Sequence, residues 1–172
     1  LVGSNTDGYK LAVGAYGDSK YRGAAYLFDL PEFRNSQIRY IDKIDKNYSS
    51  LSTMLSRGDN FGSSVSLVGS NTDGYKLAVG AYGDNNGSKN SGAVYLFNMA
   101  DFGGEQTRYI DKISKNHSSL NTMLSQGDHF GSSVGLVGNN EDGYKLAVGA
   151  YGDDDGSKNS GAVYLFNMAD FG

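Results

Sequence analysis

No cysteine occurs among the 172 residues, so neither a disulfide framework nor a thiolate metal site is open to this chain. Tryptophan is absent as well, and Pro31 is the one proline. No apolar run approaches the roughly 20 residues that cross a bilayer as a helix. Like charges never gather into a run and the formal net charge is −4, which argues against nucleic acid as a partner. What the chain has instead is 25 glycines and 13 tyrosines. That composition describes a turn-rich β protein rather than a disordered chain.

The sequence also repeats itself. Leu67 to Gly103 and Leu136 to Gly172 differ only at Ser70/Asn139, Thr72/Glu141, Asn85/Asp154 and Asn86/Asp155. A first copy begins at Leu1, with the shorter Asp18-Ser-Lys-Tyr-Arg-Gly23 in place of Asp84-Asn-Asn-Gly-Ser-Lys-Asn-Ser-Gly92. Phe61 and Phe130 set the period at 69 residues. Such periods mean propeller blades, solenoid coils or domain arrays, because one unit cannot bury its apolar surface alone. The repeats are read as 1–66, with the shortened loop, 67–135, and a partial third at 136–172. The linking segment is present one time fewer than the Leu-Val-Gly segment, so a stretch of a longer array is expected.

Four strand signals recur per repeat. Phe130-Gly-Ser-Ser-Val-Gly-Leu-Val137 is small and crowded, which suits close backbone approach. Tyr144 to Tyr151, opened by the turn pair Asp142-Gly143, and Gly161 to Phe166 are apolar or small on both faces, as in strands covered from both sides. Thr107-Arg-Tyr-Ile-Asp-Lys-Ile113, like Ile38 to Ile44, carries charge and reads as a solvated edge. Small inside, apolar in the middle and charged outside predicts an all-β fold of tandem four-stranded antiparallel blades of a β-propeller. Short helical turns are expected at Leu120, Met123 and Leu124 and at Met99 to Phe102. With fewer blades than a closed ring needs, exposed apolar faces are expected at Leu11, Val13, Ala25 and Leu27, and at Val163, Leu165 and Phe166.

Phe61-Gly-Ser-Ser-Val65, Asp73-Gly-Tyr75, Leu77-Ala-Val-Gly-Ala81 and Gly92-Ala-Val-Tyr-Leu-Phe97 resemble the FG-GAP repeat, the blade of integrin α-subunit propellers and of many bacterial surface proteins. The resemblance implies a propeller and an extracellular or cell-surface setting, with long bacterial repeat proteins nearest in character. It also implies a Ca²⁺ loop between the first two strands, onto which Asn71 and Asp73, Asn140 and Asp142, and Asn5 and Asp7 map. Gly69 stands where the first acidic ligand belongs and the closing Asp is missing. One carboxylate falls short of the six to eight oxygens that Ca²⁺ takes, so a tight turn with Asn71 as a local acceptor is the preferred reading.

The loop between second and third strands is the better metal candidate. Asp84, Asn86, Ser88 and Asn90, and likewise Asp153, Asp155, Ser157 and Asn159, alternate oxygen side chains around a glycine bend. Against this, Lys89 and Lys158 put positive charge in the loop, and a solvated turn is the competing reading. The only histidines, His117 and His129, face Tyr48 and Asn60 in the preceding repeat, and no nucleophile–base signature accompanies them. No enzyme is expected. Tyr75, Tyr82, Tyr95 and Phe97 read as packing between blades, while Tyr21 and Tyr48 lie in loops open to a partner. Near-identical copies favour a structural or adhesive array, its loops displayed many times for avidity and its ends joining head to tail. The partners expected are neighbouring repeats, identical chains, or a cell-surface protein or glycan. The alternative is a lectin-like or protein-binding propeller, with or without calcium, and behind it stands an enzyme, for which fold-level analogy alone speaks.

Overall fold

The computed structural model describes residues 1–4, 7–31, 38–103, 107–117, 119–158, 160–169 and 171. The strands are β1 (Val2–Ser4), β2 (Gly8–Ala15), β3 (Ala24–Leu30), β4 (Arg39–Ile44), β5 (Phe61–Ser70), β6 (Gly74–Ala81), β7 (Ala93–Met99), β8 (Thr107–Ser114), β9 (Phe130–Asn139), β10 (Gly143–Ala150) and β11 (Ala162–Met168). They form three antiparallel sheets in meander order: β1-β2-β3-β4, β5-β6-β7-β8 and β9-β10-β11. Each sheet is a blade. Two-strand hairpins close at Asp73-Gly74 and Asp142-Gly143, where the glycines take φ of 70° and 73°. An Asp-Gly pair supplies that left-handed geometry at little cost.

Blade 2 shows why these residues form these strands. Its two central strands, β6 and β7, bury both faces, Asn98 of β7 being the one half-exposed position. One face of Tyr75, Leu77, Val79, Tyr95 and Phe97 packs with Ala25 and Leu27 of blade 1. The opposite face, Ala78, Val94 and Leu96, packs with Leu136, Leu146 and Val148 of blade 3. The cores therefore lie between blades, which is why the strands read as apolar on both sides. The first strands β1, β5 and β9 gather along one line, whereas β4 and β8 pair only with β3 and β7. Gly-Ser strands innermost and charged strands outermost is the expected gradient.

At the start of β5 and β9 a β-bulge breaks the register, with Phe61 opposite Ala81 and Ser64 next opposite Gly80. Gly62 and Gly131 sit in it at φ of 84° and 87°. The repeat phase of 1–66, 67–135 and 136–172 does not coincide with the sheets, because Leu67 and Leu136 fall inside β5 and β9. A period fixes a length but not an origin.

Leu120, Met123 and Leu124 make the short helical turn expected, with the Leu124 N–H on the Leu120 carbonyl at 2.9 Å and Met123 exposed. Two expectations are corrected. Met99 to Phe102 forms no turn of helix, because the Phe102 ring folds back edge-on to Tyr75 at 5.2 Å. Ala25 and Leu27 are fully buried, since strand alternation points them at blade 2, and Leu11 is half-buried; Val13 is exposed as expected, as are Ile38 and Tyr40 of blade 1. Val163 and Leu165 are bare as expected, while Phe166 is half-buried against Phe130.

Candidate functional site

In the β6–β7 loop Asp84 decides the shape. Its N–H donates to the Ala81 carbonyl at 3.1 Å, and its carbonyl accepts the Gly92 N–H at 3.0 Å, which closes the loop. Its Oδ1 accepts the Asn86 N–H at 2.9 Å, an Asx turn. The carboxylate is 1% exposed and turns into the blade. There Oδ2 takes the Lys112 Nζ at 2.7 Å and the Tyr95 hydroxyl at 2.8 Å. Lys112 also lies 4.9 Å from the Tyr95 ring centre, so the cation is held twice. Asn86 is exposed, Asn90 gives its N–H to Asn85 Oδ1 at 2.9 Å, and the Ser88 carbonyl accepts from Ser91. The four loop candidates are thus spread, with Asp84 already neutralised by a lysine.

The same triad recurs in blade 1: Tyr26 and Lys43 reach Asp18 Oδ2 at 2.5 and 3.0 Å. Hydrogen bonds from Ser19, Tyr26 and Lys43 hold the Asp18 carboxyl down at about 2. Its loop closes on an equivalent bond, Gly23 N–H to Asp18 carbonyl at 3.0 Å, but with fewer residues. Ser19, Lys20 and Tyr21 are forced left-handed, at φ of 50°, 63° and 62°. In blade 3 Tyr164 donates to Asp153 Oδ2 at 2.6 Å and Asp155 N–H to its Oδ1 at 3.3 Å. Among the described residues no cation pairs with Asp153; Ser157 is exposed and Asn159 lies outside the described residues.

A second buried carboxylate stands near Asp84 and another near Asp153. Asp59 Oδ2 accepts the Ser56 N–H at 2.7 Å, and Asp128 Oδ2 the Ser125 N–H at 2.6 Å. Burial, opposed by the Ser56 bond and aided by the charge of Asp84, pushes the Asp59 carboxyl up to about 6. Burial and the negative charges of Asp153, Asp154 and Asp155 push Asp128 up too. Among the described residues no three His, Cys, Asp or Glu side chains converge as a metal site.

The hairpin candidates serve their turns. Tyr75 donates to Asn71 Oδ1 and Tyr144 to Asn140 Oδ1, each at 2.7 Å. Asp73 exchanges bonds with Ser70, Asp142 with Asn139, and Asp7 with Ser4. Asn5 lies outside the described residues. Asn71 acts as the local acceptor that the sequence suggested.

Tyrosine gathers on one edge. The His129 ring stacks on Tyr151 at 4.7 Å and 11° and meets Tyr82 edge-on at 5.6 Å. The Tyr82 and Tyr151 rings lie 6.4 Å apart, so Tyr82, His129 and Tyr151 form one cluster, and burial pushes the Tyr82 hydroxyl up. Tyr16, Tyr21 and Tyr151 are exposed. Tyr48 is not free for a partner, as its hydroxyl donates to the Thr107 carbonyl at 2.7 Å.

Sequence reading missed the Asp–Tyr–Lys triad and this stripe. The signal for the triad was present: Asp18, Tyr26 and Lys43 recur in order as Asp84, Tyr95 and Lys112. A family model described as FG-GAP repeat matches residues 55–97 and 124–166, half of the chain. No curated protein matches it.

Proposed function

As the chain belongs to the FG-GAP repeat family, we propose that it is part of a structural and adhesive array on a bacterial surface or in an extracellular assembly. Among the described residues no helix is long and apolar enough to cross a membrane. The observation that carries the reading is the recurrence of one tyrosine per blade, Tyr16, Tyr82 and Tyr151, with Tyr16, Tyr21 and Tyr151 exposed and the half-buried Tyr82 and His129 packed beside Tyr151. Amphipathic rings with a wet hydroxyl suit a surface protein or glycan. Individually weak contacts repeated on a rigid spacing raise avidity by orders of magnitude. The array does no chemistry on this reading: His129 is spent between two tyrosines and His117 beside the Ser119 hydroxyl at 3.1 Å. End blades joining head to tail extend the array, through faces such as that of Val163 and Leu165.

The test is adhesion of beads coated with the chain to cells or matrix. The double variant Tyr16→Ser/Tyr151→Ser changes two exposed rings and should cut adhesion at least tenfold. Unchanged adhesion would discard the stripe. A calcium-dependent form of the reading rests on the blade 3 loop, where Asp153, Asp154 and Asp155 stand together in the places of Asp84, Asn85 and Asn86. Added Ca²⁺ should then raise the melting temperature, and Asp153→Ala/Asp155→Ala should abolish the rise. No response to Ca²⁺ or to chelation discards it.

A further inference from the structure

Neighbouring blades are joined by backbone, and in the same way twice. Phe61 N–H donates to the Arg22 carbonyl at 3.1 Å, and Phe130 N–H to that of Ser91 at 3.0 Å. One residue earlier, Asn60 and His129 donate to Tyr21 and Asn90 at 3.0 and 3.1 Å. Gly23 and Phe61, and Gly92 and Phe130, pair as parallel bridges. The glycine that follows is then pressed against the preceding blade. A Cβ on Gly62 would collide with the Ala24 carbonyl, and one on Gly14 with the carbonyl of Gly62. Gly131 stands likewise against Ala93, and Gly80 against Gly131. Ser64 Oγ then donates to the Gly131 carbonyl at 2.8 Å.

Blade 3 carries the same frame. Gly149, Gly161 and Ala162 are the counterparts of Gly80, Gly92 and Ala93, and Ser133 is that of Ser64. Together they line a cleft of about 410 Å³. A Cβ on Gly149 would meet only the Ser133 hydroxyl, and one on Gly161 nothing nearer than 3.5 Å. The loop behind it is already shaped, since Gly161 N–H bonds the Asp153 carbonyl at 2.9 Å as Gly92 does that of Asp84 at 3.0 Å. Val163 and Leu165 lie bare on the same sheet, where Val94 and Leu96 are covered by Leu136 and its neighbours. A preformed frame costs little to fill.

We propose that this cleft is a peptide socket whose ligand is the extended Asp-X-Phe-Gly-Ser-Ser segment of a further repeat. It reads glycine, not phenylalanine: Phe61 and Phe130 pack on Tyr95 and Tyr164 of their own blades, whereas Gly62 and Gly131 meet the neighbour. The Ser160 carbonyl takes the Phe N–H, the Ser133 hydroxyl the Gly carbonyl, and Val163 and Leu165 the apolar residues that follow. The inference rests on the array reading for the source of the segment, but not on adhesion.

The probe is a fluorescein-labelled peptide with the sequence of residues 127–137, titrated into the chain and followed by anisotropy. One peptide should bind per chain, saturably. Its Gly131→Ala form should bind at least tenfold more weakly, which no folding defect can mimic. Gly149→Ala in the protein should do the same, because only the Ser133 side chain need move for that variant to fold. Absence of saturable binding at millimolar peptide, more than one site per chain, or equal affinity of the alanine peptide would each overturn the socket. Failed bead adhesion with intact peptide binding sinks only the adhesive reading, and the converse sinks only the socket.

Discussion

Residues 93–99 and 162–168 spell the same strand, Ala-Val-Tyr-Leu-Phe-Asn-Met, in the same register against the same partner sequence. Yet Val94 is 0% exposed and Val163 68%, and Leu96 is 4% exposed where Leu165 is 80%. Strand β7 is buried almost throughout, while β11 alternates between half-buried and exposed. Sequence makes both faces apolar; a neighbouring blade decides whether both are covered. Stability in such a fold is therefore a nearest-neighbour quantity, carried by the junctions rather than by each blade alone.

The largest expected effect contrasts the two acidic loops. Lys112→Met leaves Asp84 buried and unpaired, which should cost about 4 kcal/mol in urea unfolding. Asp153→Asn keeps an oxygen for the Tyr164 hydroxyl and should cost under about 1 kcal/mol. Equal costs would show that the Asp84 pair is not what holds its loop. Next comes packing. Leu96→Ala should cost about 3 kcal/mol, by lost transfer energy and the cavity left between blades 2 and 3. Leu165→Ala, at the same place in an identical strand, should stay within about 0.5 kcal/mol. If Leu165→Ala is as damaging as Leu96→Ala, the bare face is covered in solution and the comparison breaks.

The third contrast is with pH. Asp59 has its folded value raised to about 6, above an unfolded value near 4. The folded state then binds the proton more tightly, so stability rises as pH falls through 6 and the gain is complete near pH 4. Asp18, held at about 2, acts oppositely: its contribution is present above about pH 4 and is lost as pH falls toward 2. Asp59→Asn keeps an oxygen for the Ser56 N–H and removes the charge. It should flatten the melting temperature between pH 4 and 6 and leave the acid limb below pH 4 in place. A melting curve that still climbs as strongly on acidification would assign the effect to Asp128 or elsewhere.

How much of this was legible in the sequence differs by feature. The blades were, because Val-Tyr-Leu-Phe strands apolar on both faces and a charged fourth strand leave few other architectures. The burial of Ala25 and Leu27 was not, since a strand apolar on both faces gives no signal of which face meets which neighbour. For the acidic loops, alternating oxygens looked like a cation cage, but the turn at Asp84 aims its carboxylate inward at Lys112, from a distant strand. Local spacing cannot show a partner that only the blade meander brings close. The stripe around His129 was hidden for the same reason: Tyr82 and Tyr151 come from different blades.

The smallest effect tests the loops of blades 1 and 2 against each other. Both close on an equivalent Asp-to-Gly bond, but the blade 1 loop does so in fewer residues and holds Ser19, Lys20 and Tyr21 left-handed. Each such residue costs an L-amino acid roughly 1 kcal/mol, since Cβ crowds the next carbonyl. Among the described residues the exposed Lys20 side chain makes no bond that its loss would confuse with strain relief. Lys20→Gly gains the backbone freedom that the turn demands and gives back part of it as unfolded-state entropy. The net should be a stabilisation of about 0.5 kcal/mol, whereas Lys89→Gly in the longer loop should be neutral or slightly destabilising. A destabilised Lys20→Gly, with Lys89→Gly unchanged, would mean that the short loop is not strained and that its closure is set by Asp18 and its three hydrogen-bond donors alone.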